Sequence, residues 1–367
     1  MSLSPANASP TVPPTVPPAA PVSLGHRLCT APMLDHTDRH CRYLFRLLSP
    51  HAFLYTEMVT TGALRFGNVP RHLAFHPAEH PVALQLGGSA PEGLAHGARI
   101  AAEYGYDEVN LNCGCPSPRV AAGAFGACLM REPGLVAECV AALADAGLPV
   151  SVKCRLGVDD DDSPEFLHRF TAAVVGAGCH TLIVHARKAI LHGLSPKENR
   201  EIPPLDYPRV HRLKEAWPDL SVVLNGGLRT VPDILAALAG GDGAPVDGIR
   251  LDGAMVGRAF LEAPMLLGAA EAALWPPGVP GSPEGAAATR AEVYQGYRDY
   301  VAARLAEGVP LAPLCRPLLP LFQGEPGARR FRRCLSEGMT RPGAGLALLD
   351  LAAAALPSLV GEEMATN

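Results

Sequence analysis

The chain has 367 residues, 48% of them hydrophobic and 18% charged, and a formal net charge of −5. That length buries a large core, the composition excludes a disordered chain, and the acidic balance excludes a global pull toward nucleic acid, so any such contact must come from a local patch. No apolar run is long enough to span a bilayer and no charged n-region opens an apolar stretch, so a cytoplasmic protein without a membrane is expected, its ten scattered cysteines reduced.

Residues 1–25 are expected to be a disordered, proline-rich tail. The first 24 carry no charged side chain, hold seven prolines and repeat Thr-Val-Pro-Pro at Thr11–Pro14 and Thr15–Pro18. From Leu28 onward, strand-like runs recur at Leu28–Met33, Ala52–Met58, Pro81–Leu86, Asp107–Asn112, Val150–Arg155, His180–Arg187, Ser221–Asn225 and Gly248–Gly257. Amphipathic segments such as Pro91–Gly105, Pro133–Gly147, Pro164–Gly178 and Val231–Gly240 lie between them. Strand followed by helix, eight times over, predicts a parallel (β/α)8 TIM barrel over residues 26–275. A doubly wound open sheet is the alternative, but no Gly-x-Gly-x-x-Gly follows the first strand. Pro276–Pro283 is a breaker-rich linker, and residues 284–357 have helical periodicity throughout, which predicts a C-terminal all-helical domain.

In such barrels the reactive groups stand at the C-terminal ends of the strands. Reading those positions gives Pro32, Met33 and Leu34 after strand 1, Thr56-Glu57-Met58 after strand 2, Gln85 on strand 3, and Asn112 and Cys115 at strand 4. Strand 5 offers Lys153 and Arg155, strand 6 His185 and Arg187, strand 7 Asn225-Gly226-Gly227 and strand 8 Gly257-Arg258. Gly226-Gly227 and Gly257-Arg258 fall where this fold holds a phosphate: small residues admit a ligand to the backbone N–H groups, and arginine adds charge. Gln85 and Lys153 suit a flat heterocycle, the amide donating and accepting, the ammonium balancing negative charge. The lesser reading of Lys153 is a barrel-mouth ion pair, and His185 taken alone fits a satisfied core histidine as well as a ligand. Cys115 is a thiol on a turn bracketed by Gly114 and Pro116. Cys113 beside it suggests a metal, but two thiolates without two further ligands make a poor zinc site, so Cys113 is expected to face the core and no metal is expected. The acidic run Asp159–Asp162 is expected to be a solvated loop that repels phosphate.

Several of these segments resemble the tRNA-dihydrouridine synthases: Ala31–Asp35, Tyr55–Val59, Gln85–Gly88, Asn110–Pro116, Val184–Lys188, Asn225–Gly227 and Met255–Arg258. Gly193–Tyr207 and Phe322–Arg330 are similar to signatures of the A-type subfamily, and the resemblance covers roughly residues 28–340. Two departures stand out: His36, where the A-type pattern carries tryptophan, and Cys113, where family members often carry an apolar residue.

The resemblance implies an FMN enzyme, reduced by NADPH, that converts uridine to dihydrouridine at positions 20 and 20a of the tRNA D-loop. Hydride would reach C6 of the uracil, and Cys115 would give a proton to C5, as a thiol with an ordinary pKa near 8.5 is able to do at neutral pH. It implies cofactor contacts from Pro32, Met33, Leu34, Gln85, Lys153, His185, Asn225, Gly226, Gly227, Gly257 and Arg258, with Asn112 at the base. A uracil in folded tRNA must leave its stack to be reduced, so the protein must grip phosphates around it. The candidate grips are Arg119, Lys188, Lys197, Arg200, Arg329, Arg330, Arg332 and Arg333; on a helix, Arg329, Arg330 and Arg333 share one side. A monomer is expected. The alternative is an FMN oxidoreductase acting on a small pyrimidine-like substrate, which would need neither the helical domain nor its arginines. More distant readings are a non-redox phosphate-binding barrel and an RNA-binding module without a flavin.

Overall fold

A computed structural model describes residues 25–117, 120, 123–239, 250–276 and 288–360. The proline-rich tail, Arg119 and the linker beyond Pro276 lie outside these described residues. Among the described residues nine strands form one sheet: β1 (Leu28–Thr30), β2 (Leu54–Tyr55), β3 (Val59–Thr60), β4 (Val82–Gly87), β5 (Glu108–Cys113), β6 (Val150–Arg155), β7 (Cys179–His185), β8 (Ser221–Asn225) and β9 (Gly253–Val256). Every pairing is parallel, in the order β1-β9-β8-β7-β6-β5-β4-β2, with β3 also paired to β4. A parallel bridge between Cys29 and Phe53 joins the two ends, so the sheet closes into the expected barrel.

Two expected strands differ in extent. The run Ala52–Met58 is interrupted at Thr56, whose hydroxyl takes the Gln85 N–H at 3.0 Å where a backbone carbonyl would otherwise accept it. Of the expected last strand Gly248–Gly257, residues 248 and 249 lie outside the described residues, and the strand runs over Gly253–Val256, with Gly253 backed directly onto the His26 carbonyl, where a Cβ has no room.

The crossover helices follow simple chemistry. Those at Pro91–Tyr104, Pro133–Ala144 and Pro164–Gly176 begin with proline, whose missing N–H costs nothing in the first turn. Their apolar sides pack on the outward side chains of the strands and form one continuous core with the C-terminal region. A second, smaller apolar cluster fills part of the barrel interior: Cys29, Ala31, Phe53, Tyr55, Ala83, Ile183, Val223 and Met255. The interior is thus apolar toward β1, β2, β8 and β9, whereas β4, β5 and β6 point buried polar groups into it: Gln85, Glu108, Asn110 and Ser151.

Residues 288–360 are helical, as expected, with helices at Arg290–Ala306, Leu311–Cys315, Ala328–Gly338, Leu346–Ala353 and Pro357–Val360. They seat on the first barrel helix, Arg39–Leu48, through Tyr300, which stacks on Tyr43 with ring centroids 4.0 Å apart and meets His40 Nδ1 at 2.7 Å. Buried aromatic pairs of this kind add specific geometry to the area they bury. Among the described residues, no helix is long and apolar enough to cross a membrane.

Candidate active site

The thiol turn follows β5 directly. Asn112 Oδ1 accepts the Gly114 and Cys115 N–H groups, each at 3.1 Å, and the Cys115 carbonyl accepts from Ala127 at 3.0 Å. On the far side Arg155 Nε donates to the Gly114 carbonyl at 3.1 Å. The turn is therefore held by four hydrogen bonds, and the Cys115 thiol is partly exposed at the barrel mouth. Cys113, the last residue of β5, is fully buried in the core outside the barrel, where desolvation pushes its thiol well above the ordinary value. The two cysteines point to different environments, and the metal reading has no geometric support in the pair.

Around Cys115 the mouth is cationic. Lys153 is half-buried, and its ammonium is pushed down to about 7, first by desolvation and then by the Arg155 guanidinium. His185 is buried, and desolvation together with Arg155, Lys153, Arg187 and Arg200 holds its imidazole well below its usual range, so it is neutral at pH 7. Arg200 is lowered by desolvation and by Arg258. Several cations so close that they depress one another mark a place suited to an anion. The buried Nε atoms of Arg187 and Arg200 have no hydrogen-bond partner among the described residues.

At the ends of β8 and β9 the expected glycines form a cradle. Gly226 and Gly227 have φ of +105° and +76°, the left-handed region that disfavours a side chain. A Cβ on Gly226 would lie 2.6 Å from the His185 ring, and one on Gly227 2.5 Å from Leu205 and from the Tyr207 hydroxyl. Asn225 Nδ2 donates to the Met255 carbonyl at 2.8 Å and ties the two strand ends together. Met33 lies against Gly257, 3.0 Å from where its Cβ would be, and Leu34 beside it is 60% exposed, a large apolar side chain left open at the rim. Pro32 precedes them in the same segment. Gln85 lies deeper, its amide between Asn110 and Asn112.

Arg258, expected at the cofactor, is paired with Glu201 at 2.5 Å, and Lys188, one of the expected phosphate grips, with Asp162 at 2.9 Å. The acidic run is the surface loop expected from its charge, and it also makes ion pairs: Asp159 and Asp161 clamp Arg131 at 3.1 and 2.7 Å, and Asp159 accepts the Leu191 N–H at 2.8 Å. It latches the segment after β6 to the segment after β7, because paired cations lie on both sides of it. Lys197 is exposed and Arg200 half-buried.

Arg329, Arg330, Arg332 and Arg333 are all exposed on helix Ala328–Gly338, whose buried side is Ala328, Phe331 and Leu335. Arg332 also lines a cleft of about 460 Å³ between the mouth and the helical region, with Asp35, His36, Asp38 and Arg316. His36 thus stands in the wall of that cleft.

Three groups have roles that the sequence did not assign them. Arg155, read only as a strand end, is buried and links the Gly114 carbonyl to the Asn199 carbonyl, 3.0 Å from its Nη1; its place two residues after Lys153 on an alternating strand was the signal for it. Asn199 is fully buried and folds the segment after β7 on itself, bonding Ile190 N at 2.7 Å and Ile190 O at 2.8 Å. Arg316 has no sequence signal beyond its charge.

Comparison with known proteins places this geometry. The family model described as dihydrouridine synthase matches residues 29–356. The chain is 54% identical over 327 residues to a tRNA-dihydrouridine(20/20a) synthase of Xanthomonas campestris pv. campestris, an alignment covering 89% of this chain and 92% of that protein. Proteins of the same name from Vibrio cholerae serotype O1 and Escherichia coli O6:H1 are 49% and 50% identical, covering 90% and 89% of this chain and 97% and 94% of their own lengths. The match runs through the whole barrel and the helical region together, and on that ground the chain belongs to the dihydrouridine synthase family.

Proposed function

We propose that this protein is a flavin-dependent oxidoreductase that reduces uridine to 5,6-dihydrouridine in the tRNA D-loop, at positions 20 and 20a as in the names of its relatives, with FMN as cofactor and NADPH as reductant. The observation that carries the reading is the thiol turn: one partly exposed thiol, held rigidly by Asn112, at the mouth of a barrel whose other strand ends supply cations and a glycine cradle.

The residues present fit FMN. Gly226, Gly227 and Gly257 leave room that a Cβ would fill, Arg258 and His185 border it, and the unpartnered Nε of Arg187 is a donor suited to an anionic oxygen. Lys153, Gln85 and Asn225 would meet the ring system, with Pro32, Met33 and Leu34 at its rim. When bound, FMN supplies the hydride for C6 of the uracil. Cys115 gives its proton to C5, and Asn112, by fixing the Cys115 backbone, sets where that thiol can reach. Arg200, Lys197 and Lys188, and across the cleft Arg316, Arg329, Arg330, Arg332 and Arg333, would contact phosphates of a tRNA whose target base has left its stack. A small pyrimidine substrate would leave that second group of arginines without a role.

The test is Cys115→Ala. The variant should keep its flavin absorption near 450 nm and be reduced by NADPH at close to the parent rate. Dihydrouridine formation should fall about a thousandfold, the scale of a lost general acid. Undiminished dihydrouridine in the modified tRNA would overturn the assignment.

A further inference from the structure

A line of buried polar groups crosses the barrel interior from its closed end to the thiol turn. At the closed end Glu108, 2% exposed, takes both the Tyr55 hydroxyl, at 2.9 Å, and the Ser151 hydroxyl on one oxygen, Oε1. Its other oxygen, Oε2, meets His26 Nε2 at 2.7 Å. Asn110 Nδ2 lies 2.8 Å from Ser151 Oγ, Gln85 Nε2 lies 2.7 Å from Asn110 Oδ1, and Asn112 Nδ2 lies 2.9 Å from Gln85 Oε1. The line ends where Asn112 Oδ1 receives the Gly114 and Cys115 N–H groups.

An amide presents an oxygen on one side and an NH2 on the other, so a row of amides can run in either direction unless something fixes it. Here the carboxyl does so. Oε1 acts as acceptor toward both hydroxyls, whatever the proton between Oε2 and His26 does. Ser151 spends its one proton on Oε1 and must accept from Asn110, which forces each following amide in turn. Burial, and then the Glu108 carboxylate, push the Tyr55 phenol well above its usual range, so it remains a donor. Reversal would set the Asn112 NH2 against two backbone N–H groups, leaving buried donors unpaired.

We propose that Glu108 is a positioning residue for catalysis: from the far end of the barrel it sets the direction of the Ser151–Asn110–Gln85–Asn112 row, and so holds the Cys115 turn and the amide faces of Gln85 and Asn112 in the one orientation that the reaction uses. The inference rests on the proposed function only in taking Cys115 and these amides as the groups that meet the base and the flavin.

The experiment compares Glu108→Gln, Ser151→Ala and the double variant in their flavin-loaded forms. Glutamine can donate as well as accept, so it removes the fixed acceptor at the closed end and leaves the direction of the row to the Asn112 end alone, and alanine removes the link. Each single variant should keep its flavin content and NADPH reduction rate within twofold, while oxidation of the reduced enzyme by tRNA slows about tenfold, the effect of one lost hydrogen bond. The double variant should lose no more than either single one, because both interrupt the same row. Losses that multiply, or single variants as fast as the parent in the tRNA step, would overturn the proposal. Should the variants not fold, neutron diffraction of the parent protein reads the amide deuterons directly, and an Asn112 NH2 directed at Cys115 N would overturn it equally. A parent enzyme that binds no flavin or makes no dihydrouridine would instead overturn the proposed function and leave the direction of the row to the diffraction measurement.

Discussion

Lys153 is the side chain on which the mouth most visibly acts. Desolvation and the neighbouring Arg155 guanidinium bring its ammonium down to about 7, while in the unfolded chain it keeps an ordinary lysine value near 10.5. Between those two values the unfolded chain binds more protons than the folded one, so this group makes the folded state more stable as pH rises from about 7 toward 10. Its contribution is fully present above the unfolded value and lost as pH falls through 7. Flavin-free protein should therefore gain thermal stability relative to a Lys153→Met variant as pH is raised across that window, measured as the difference between their two unfolding midpoints. Parallel curves would show that Lys153 is charged in the fold. An anion over the mouth would raise this pKa again.

At the scale of elements, the segment from Lys188 to Asp206 is the piece that the strands themselves do not hold. Asn199 folds it, Arg155 joins it to the thiol turn, and the acidic run after β6 clamps its start. Asn199→Ala would leave a buried N–H and two carbonyls unpaired, at a cost of roughly 1–3 kcal/mol. The expected outcome is faster proteolytic cleavage between residues 188 and 205 and a roughly tenfold slower tRNA reaction. Unchanged cleavage and turnover would count against this role. Much of this level was legible in the chain: alternation placed all the barrel strands, and breaker residues set their ends. What alternation could not give is register. That Gln85 stands beside Asn110, and Asn110 beside Ser151, follows from how three strands slide against one another, and each strand read singly shows only a buried polar residue. The split at Thr56 escaped for the same reason, since its cause is the Gln85 N–H of another strand. The latch made by Asp159–Asp162 escaped because a run of like charges gives no sign of the cations the fold brings to it.

Across the whole molecule, the cleft between the mouth and the helical region sets carboxylates on one wall and arginines on the other. Asp35 and Asp38 come from the segment after β1, Arg316 and Arg332 from the helices. With Arg329, Arg330 and Arg333 exposed beyond it, the basic surface belongs to the helical region, although the chain as a whole is acidic. Replacing Arg329 and Arg330 by alanine should weaken tRNA binding and lower the slope of log affinity against log salt by about one unit for each phosphate that is no longer neutralised, while NADPH oxidation by the flavin is unchanged. Binding and slope both equal to the parent's would remove these arginines from the interface.

The ion pairs at the mouth bear on how such a slope must be read. Lys188 on Asp162 and Arg258 on Glu201 already have carboxylates as internal counterions. A phosphate arriving at either one displaces a side chain of the protein and not a dissolved anion. Such an encounter adds attraction without adding to the salt dependence, so the slope counts the open arginines of the helices and passes over the cations that already hold a carboxylate.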